Sequence, residues 1–554
     1  MEERKNMREQ ESIKDKRVII FLCLLTAIFA RYCYYGFNYF YQLDDYIQYH
    51  NYVPPGNGTP FQTIINLGLL AARPLAGLSD VLIWSRFFPV MIVAVLIFSA
   101  MLACSACLFQ KVWSRHFDTG YVFLVVYALL PLGIEGIYWV SASSRIVPGL
   151  FFASISLYCF ERWCEVGKMR LLIFFILAQI AAYGFYEQAM ILSLTATLTV
   201  STLHFKRQRA RALWGLISFA NVAAYFFLTR LTRESVVYGT RLGIIRAFGY
   251  DYWRNTFPAV FNQVRDVFIK GGVYTLIKGT YRGVLILIAG INVVYILTIL
   301  FVCAAFFLLA RGAGRRGDDK KPWVALICGG ILAVAPVGLF FVIPNAWFSL
   351  RSAVMSFCGI AMMADALVSL ATRRLKRDRT LTAIAVSGFV LICSVAAISE
   401  MHDYRQTMLK DQQVVEQLAK RLEADGKLNP ELQIAVLNLN PSYLKDQNFY
   451  FHEHIHGVTE SSWALTGALE WKVGITRRPA VTPLPGGILY RPWNADASRL
   501  NNFDGVYIYL DNEIIKISAV KSDGGDYRLH DLNGRYIGRV WEEDNYGYLE
   551  LLTG

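Results

Sequence analysis

Two adjacent carboxylates, Asp44 and Asp45, follow the first strongly apolar run of this 554-residue chain, where a membrane segment would meet water. Partial desolvation and a like-charged neighbour both raise a carboxylate's pKa, toward the range in which it takes a proton from a hydroxyl. The pair therefore suits general-base chemistry. Three arginines, Arg73, Arg145 and Arg351, fall at the ends of apolar runs predicted to open on the same face. Guanidinium groups placed there can hold a phosphate through paired, charge-assisted hydrogen bonds. A base together with a phosphate clamp implies chemistry in which a phosphate leaves. Glu187 joins the set because it lies in a tight turn between two short apolar runs, and a carboxylate at membrane depth is a functional candidate by default. Glu135, near the end of its own run, is a further member. The competing reading is a solvated Asp-Asp loop with arginines that reach to lipid headgroups.

These residues need elements to hold them, and the composition says which. The chain is 55% hydrophobic and only 18% charged, a balance that belongs to a polytopic membrane protein. Apolar runs near membrane length occur at about 18–36, 81–108, 120–140, 147–163, 171–186, 189–204, 213–230, 283–309, 323–343, 352–371 and 380–399, which predicts eleven spans. The net charge of +13 is spread through short loops between these runs, so it is read as membrane topology and not as nucleic-acid binding.

Charge also fixes the count. With the N-terminus in the cytoplasm, eleven spans put the basic segments 204–211, 311–321 and 372–379 inside, as the positive-inside rule requires. Merging the two short runs that flank Tyr186-Glu187-Gln188 would put all three outside. The opposite face then receives residues 36–80, the turn that holds Arg145, the Tyr186-Glu187-Gln188 turn, a long segment 231–282, and residues 344–351. Tyr250 to Lys270 mixes aromatic and basic residues and suits helices lying in the membrane interface, or an exposed connection.

Several motifs are set aside on physical grounds. All ten cysteines lie in or beside apolar runs, so no disulfide framework is implied, and Cys104-Ser-Ala-Cys107 is read as packing. Gly312 to Gly317 matches GxGxxG but follows a span and opens no βαβ unit, so it is read as a basic loop. Asn57-Gly58-Thr59 is formally a glycosylation sequon and carries no role here. The N-terminal apolar run lacks a small-residue cleavage pattern and is expected to stay as a span.

After residue 400 the pattern changes. An amphipathic helix at 401–423 is followed by strands at 432–439 and 505–510, and Asp531-Leu-Asn-Gly534 reads as the turn of a hairpin between 527–530 and 535–540. The chain thus divides into a mainly α transmembrane bundle, residues 1–399, and an extracytoplasmic α/β domain, residues 400–554, expected to fold on its own without disulfides. His452, His454 and His456 alternate and would share a strand face, but a solvated strand or turn is the preferred reading and no metal is assigned.

An N-terminal span, an outer loop with Asp44-Asp45-Tyr46, the following Arg73-Pro74-Leu75 and the Tyr186-Glu187-Gln188 turn together resemble the GT-C membrane glycosyltransferases, above all the branch of serotype-converting O-antigen glucosyltransferases. The resemblance covers roughly residues 18–399. It implies a GT-C-like bundle, a polyprenyl-phosphate-linked sugar as donor and a glycan or lipid-linked acceptor, with membrane lipids as surroundings. Asp44 or Asp45 would be the base, Arg73 would meet the donor phosphate or hold the acidic pair, and Glu187 would orient sugar or acceptor. Tyr46 and His50 stand where the family pattern leads one to expect an arginine, and they join Glu187 as substrate-orienting candidates. Sugar phosphate already carries a good leaving group, so no metal or other cofactor is expected. The rival readings are a transporter or flippase for a lipid-linked glycan, against which no internal repeat is seen, and a noncatalytic scaffold.

This topology is open to a direct check. Tags inserted near residues 208, 316 and 375 should be shielded in intact cells, and tags near residues 56 and 554 should be labelled from outside. An internal residue 554 would remove the eleven-span arrangement.

Overall fold

The computed structural model describes residues 2–50, 52, 59–230, 248–313, 322–343, 346–372, 375, 378–441, 455–490, 500, 502–521, 526–544 and 546–552. The sequon at Asn57, residues 314–317 of the glycine motif, His452 and His454 lie outside them. The chain divides into two compact units, one of Met1–Tyr39 and Phe61–Met401, the other of Phe40–Pro60 and His402–Gly554.

The first unit is helical. Nine helical segments among the described residues are long and apolar enough to cross a membrane: Lys16–Tyr35, Ile92–His116, Tyr121–Tyr138, Val140–Val166, Arg209–Thr229, Val293–Arg311, Pro322–Phe341, Leu350–Thr372 and Asp378–Ala424. The protein is therefore a multi-pass membrane protein. Their outward faces are apolar: Phe174, Val294 and Phe301 are well over half exposed, as side chains meant for lipid are. Met169–Phe185 is a shorter apolar helix, and Glu187–His204 follows it after one extended residue, Tyr186.

Residues 141–145, expected as the turn that holds Arg145, belong to the helix Val140–Val166, and the run 380–399 is continuous with the helix expected at 401–423 in Asp378–Ala424. Two further boundaries differ from the hydropathy reading, each for a local reason. Pro89 lies in a 3-10 turn, Trp84–Val90, so the regular helix starts only at Ile92. The run at 283–309 is two helices, Tyr274–Ala289 and Val293–Arg311. Gly290 leaves the helical region, and the Asn292 side chain caps the next helix by accepting from the Tyr295 N–H at 3.0 Å. Residues 252–273, expected as interfacial helices or a loop, form a helical run with π-helical turns at Tyr252–Thr256 and Asp266–Val273. All ten cysteines are free thiols.

The second unit holds one eight-stranded sheet with strands β1 (Gln433–Leu437), β2 (Ala480–Leu484), β3 (Gly487–Tyr490), β4 (Gly505–Leu510), β5 (Glu513–Lys521), β6 (Tyr527–His530), β7 (Tyr536–Glu543) and β8 (Tyr546–Leu551) in the order β2-β1-β4-β5-β6-β7-β8-β3. β1 runs parallel to β2 and β4, and the other pairings are antiparallel. The predicted hairpin is β6–β7. Its turn is held by Asp531, whose Oδ1 accepts from the N–H of Asn533 and of Arg535, and by Gly534 at φ 78°. His456, the described member of the histidine trio, pairs with Glu460 at 2.6 Å.

The short helix Asp45–His50 belongs to this second unit and packs on the helix Ser462–Val473. Gly467 permits the approach, since a Cβ there would stand 2.9 Å from the Tyr46 carbonyl oxygen and 3.0 Å from His50 Cβ. A fragment beginning at residue 400 therefore lacks one of the unit's own helices. Gly467→Ala should lower the stability of the unit by about 1–3 kcal/mol, because backbone gives way poorly to an added methyl. Thermal unfolding of the full chain in detergent checks this, and an unshifted transition would mean that the two helices separate freely.

Candidate functional site

Two helices of the first unit start in the same unusual way. Val140–Val166 begins after Trp139 (φ −77°, ψ 105°) and Glu187–His204 begins after Tyr186 (φ −155°, ψ 130°), each an extended aromatic residue without a side-chain cap bond. At the first start the Val140 N–H donates to the Tyr39 hydroxyl at 2.9 Å, and the Ala142 and Ser143 N–H groups donate to the Trp139 carbonyl; the positive end of each helix dipole lies at these starts. A guanidinium lies over each aromatic ring: Arg351 Cζ is 5.1 Å from the Trp139 centroid and Arg73 Cζ is 4.7 Å from that of Tyr186. Gly149 lets the two helices close on one another, as its missing Cβ would sit 3.2 Å from Ala189 Cβ and 3.3 Å from Tyr186 Cβ.

Arg73 is positioned by its neighbour in sequence. Pro74 opens the helix Pro74–Leu82, and the residue before a proline is forced out of the helical region, here to φ −130°, ψ 68°. From that position Arg73 Nε donates to both oxygens of Glu187, at 2.9 and 2.7 Å. Six residues beyond Pro74, the wholly buried Asp80 accepts from Ser144 Oγ at 2.8 Å and from Arg145 Nη2 at 3.2 Å. Burial pushes the Asp80 carboxyl up from its ordinary value, while Arg145, Ser144 and the charge of Arg73 pull it down. These pairs tie Pro74–Leu82 to the starts of both long helices.

Arg31, in the last turn of the first span, is the least expected member. It is fully buried, and its Nε, Nη1 and Nη2 have no hydrogen-bond acceptor among the described residues. The Tyr138 ring lies 5.9 Å from its Cζ, and Tyr32 packs on Tyr138 at 5.3 Å. A buried ion without a counter-ion costs several kcal/mol, roughly, so such a group is a standing demand for an anion.

The acidic pair belongs to the second unit. Asp45 is fully buried, and its Oδ2 accepts from the Gln42 N–H at 2.9 Å, which fixes the turn into the helix Asp45–His50. Asp44, in that turn, is partly exposed, and its carbonyl accepts from the Ile47 N–H at 3.0 Å. Tyr46 is buried, and burial, then Asp411 and Asp45, push its phenol well up. His50 Nδ1 lies 2.8 Å from Oε2 of the buried Glu470, which Arg478 also holds at 2.8 Å.

Of the residues singled out from sequence, the structure thus joins Arg73 to Glu187, pairs Arg145 with Asp80, and rests Arg351 on Trp139. Asp44, Asp45, Tyr46 and His50 form a separate group in the second unit. Glu135 is buried in the short helix Ile134–Tyr138. Asp80, Ser144 and Arg31 escaped the sequence reading. Asp80 stands at the edge of an apolar run, and Arg31 is a single charge inside one, which was the signal available for both.

A cavity of about 250 Å³ lined by Gln110, Asp118, Thr119, Asp378 and Arg379 opens at the other end of the bundle, away from these arginines. No protein-family model matches the chain, and a search of curated proteins finds no significant match.

Asp80→Asn removes the counter-charge of Arg145. The loss should be at most about 3 kcal/mol, the low end for a buried pair, because Arg145 keeps 19% of its side chain exposed. A lowered melting temperature in detergent, absent in the double variant Asp80→Asn with Arg145→Met, is the expected result.

Proposed function

We propose that the protein is an integral membrane glycosyltransferase that moves a sugar from a polyprenyl-phosphate donor to a glycan or lipid-linked acceptor. The observation that carries this reading is Arg31, a buried guanidinium without an acceptor among the described residues, in a unit where Arg73, Arg145 and Arg351 gather near helix starts. A lipid-borne phosphate answers that demand. It enters from the membrane side, brings the missing negative charge, and gains charge when it leaves the sugar, so the same groups hold it more tightly in the transition state.

In this reading Asp44 takes the proton from the acceptor hydroxyl. The hydroxyl oxygen attacks the anomeric carbon, the bond from that carbon to the phosphate oxygen breaks, and polyprenyl phosphate departs with the electron pair, inverting the centre. Asp44 is preferred to Asp45 as base because Asp45 is fully buried and already engaged by the Gln42 N–H. Glu187 holds Arg73 in place. No cofactor is needed for this step.

The topology that goes with it has eleven spans, the nine membrane-length segments together with Met169–Phe185 and Glu187–His204. The N-terminus is cytoplasmic and the second unit extracytoplasmic, in the plasma or inner membrane.

The test is reconstitution in lipid with a panel of polyprenyl-phosphate sugars and an assay for released polyprenyl phosphate. Asp44→Asn should bind donor and turn over about 10²- to 10⁴-fold more slowly. Arg31→Met should lose donor binding and yet melt no lower than the parent, because an unpaired buried charge has been replaced by an apolar chain of similar length. Movement of intact lipid-linked glycan between leaflets without release of polyprenyl phosphate would instead favour the transporter.

A further inference from the structure

At the far end of the same helices lies a cluster with different chemistry. Glu161, 1% exposed, is approached by two imidazoles: His116 Nε2 and His204 Nε2 each lie 2.9 Å from its Oε2. The rings stand almost perpendicular, with centroids 5.0 Å apart and an interplanar angle of 87°, so their nitrogens reach one oxygen from different directions. One ligand atom from each residue falls within 4.8 Å of the others. His116 and His204 are the last residues of their helices, and Glu161 is five residues from the end of Val140–Val166.

We propose that His116, Glu161 and His204 form a divalent transition-metal site, of the type that takes Zn²⁺, which joins the C-terminal ends of three helices. The proposal is independent of the glycosyltransferase reading. Two imidazoles and a carboxylate are the donor set of a borderline ion, whereas Mg²⁺ and Ca²⁺ ask for oxygen ligands throughout. A four-coordinate ion with bonds of about 2.0–2.1 Å separates its ligand atoms by about 3.3 Å, so the two 2.9 Å spacings need to open by a few tenths of an ångström and the imidazole nitrogens, within 4.8 Å of one another, have to settle at the same separation. Three protein ligands leave a fourth position for water.

Electrostatics points the same way. Two helices terminate at the cluster and a third is within its last turns, and their dipoles favour positive charge there. The neighbouring guanidiniums, two of them sharing one carboxylate, offset part of this. Arg115 and Arg162 both pair with Glu165, and Arg115 Nη1 is 3.6 Å from Glu161 Oε1. The alternative is a hydrogen-bonded clip in which both imidazoles donate Nε2–H to the carboxylate. Metal binding requires the other tautomer, with the proton on Nδ1 and both Nε2 lone pairs turned inward, so the two states exclude each other.

The experiment uses the full chain in detergent, stripped with a chelator and titrated with Zn²⁺ and with Co²⁺ as a spectroscopic probe. One Zn²⁺ per chain by dialysis and elemental analysis is expected, with the visible d–d absorption of four-coordinate Co²⁺ and a rise in melting temperature. Glu161→Gln and His204→Ala should each weaken binding by more than about tenfold. Since either variant also removes a hydrogen bond between helices, His204→Cys serves as the decisive case: it keeps a metal donor and should restore Co²⁺ binding with a new thiolate-to-cobalt charge-transfer band, which a hydrogen-bonded clip would not yield. Absence of stoichiometric Zn²⁺ and Co²⁺ in the parent chain, or binding unchanged in Glu161→Gln and His204→Ala, would overturn the site and leave Glu161 as a hydrogen-bond acceptor only.

Discussion

A charge buried among helices has to be neutralised there, and the helical unit is arranged around that requirement. Asp80 has no solvent and takes Ser144 and Arg145; Arg73 takes Glu187 and the face of Tyr186; Arg351 takes the face of Trp139. Each of these contacts links a short element to the start of a long helix. The ion pairs of Arg73 and Arg145 and the cation–π contact of Arg351 therefore fix where Pro74–Leu82 and Leu350–Ser356 dock, which uniform apolar packing against lipid-like side chains would not specify. Arg31 is the exception that gives the pattern a use, because its charge is enclosed and its nitrogens meet no acceptor among the described residues.

How much of this was readable in the chain depends on the range of the interaction. Membrane-length apolar runs are local, and nearly all reappear as helices; Asp531 and Gly534 shape a turn by bonds within five residues, so the β6–β7 hairpin was legible too. Helix boundaries set by one side chain, such as Asn292 capping Val293–Arg311, are hidden from a hydropathy window. The break between the runs 120–140 and 147–163 was legible but misplaced: the turn expected at 141–145 is helix, and the chain breaks at Trp139; the break at Tyr186 was flagged by the charge of Glu187.

Long-range partners left no trace. β1 pairs with β2 and β4 across gaps of more than forty residues, and nothing in Leu432 to Leu439 names them. The joining of Phe40–Pro60 to the sheet-bearing unit rests on Gly467 meeting Tyr46 and on Glu470 meeting His50, contacts that span over four hundred residues. The same holds for the site. Arg73 and Glu187 were singled out for separate duties, phosphate and sugar, and the structure makes them one ion pair. Asp44 and Asp45 adjoin in sequence, and burial distinguishes them: Asp45 is enclosed and Asp44 partly exposed.

The helices Val140–Val166 and Glu187–His204 tie the two ends of the unit together. Glu187 and His204 are about 25 Å apart along one helix at 1.5 Å per residue, close to the thickness of a bilayer's hydrocarbon core. At one end helix starts and arginines lie together; at the other, helix C-termini, two histidines and a buried glutamate create a region that favours a cation. The difference follows from the direction of the same backbone dipoles. Side chains at each end extend the polarity that the backbone imposes, so the two ends of these helices differ in the sign of charge they favour.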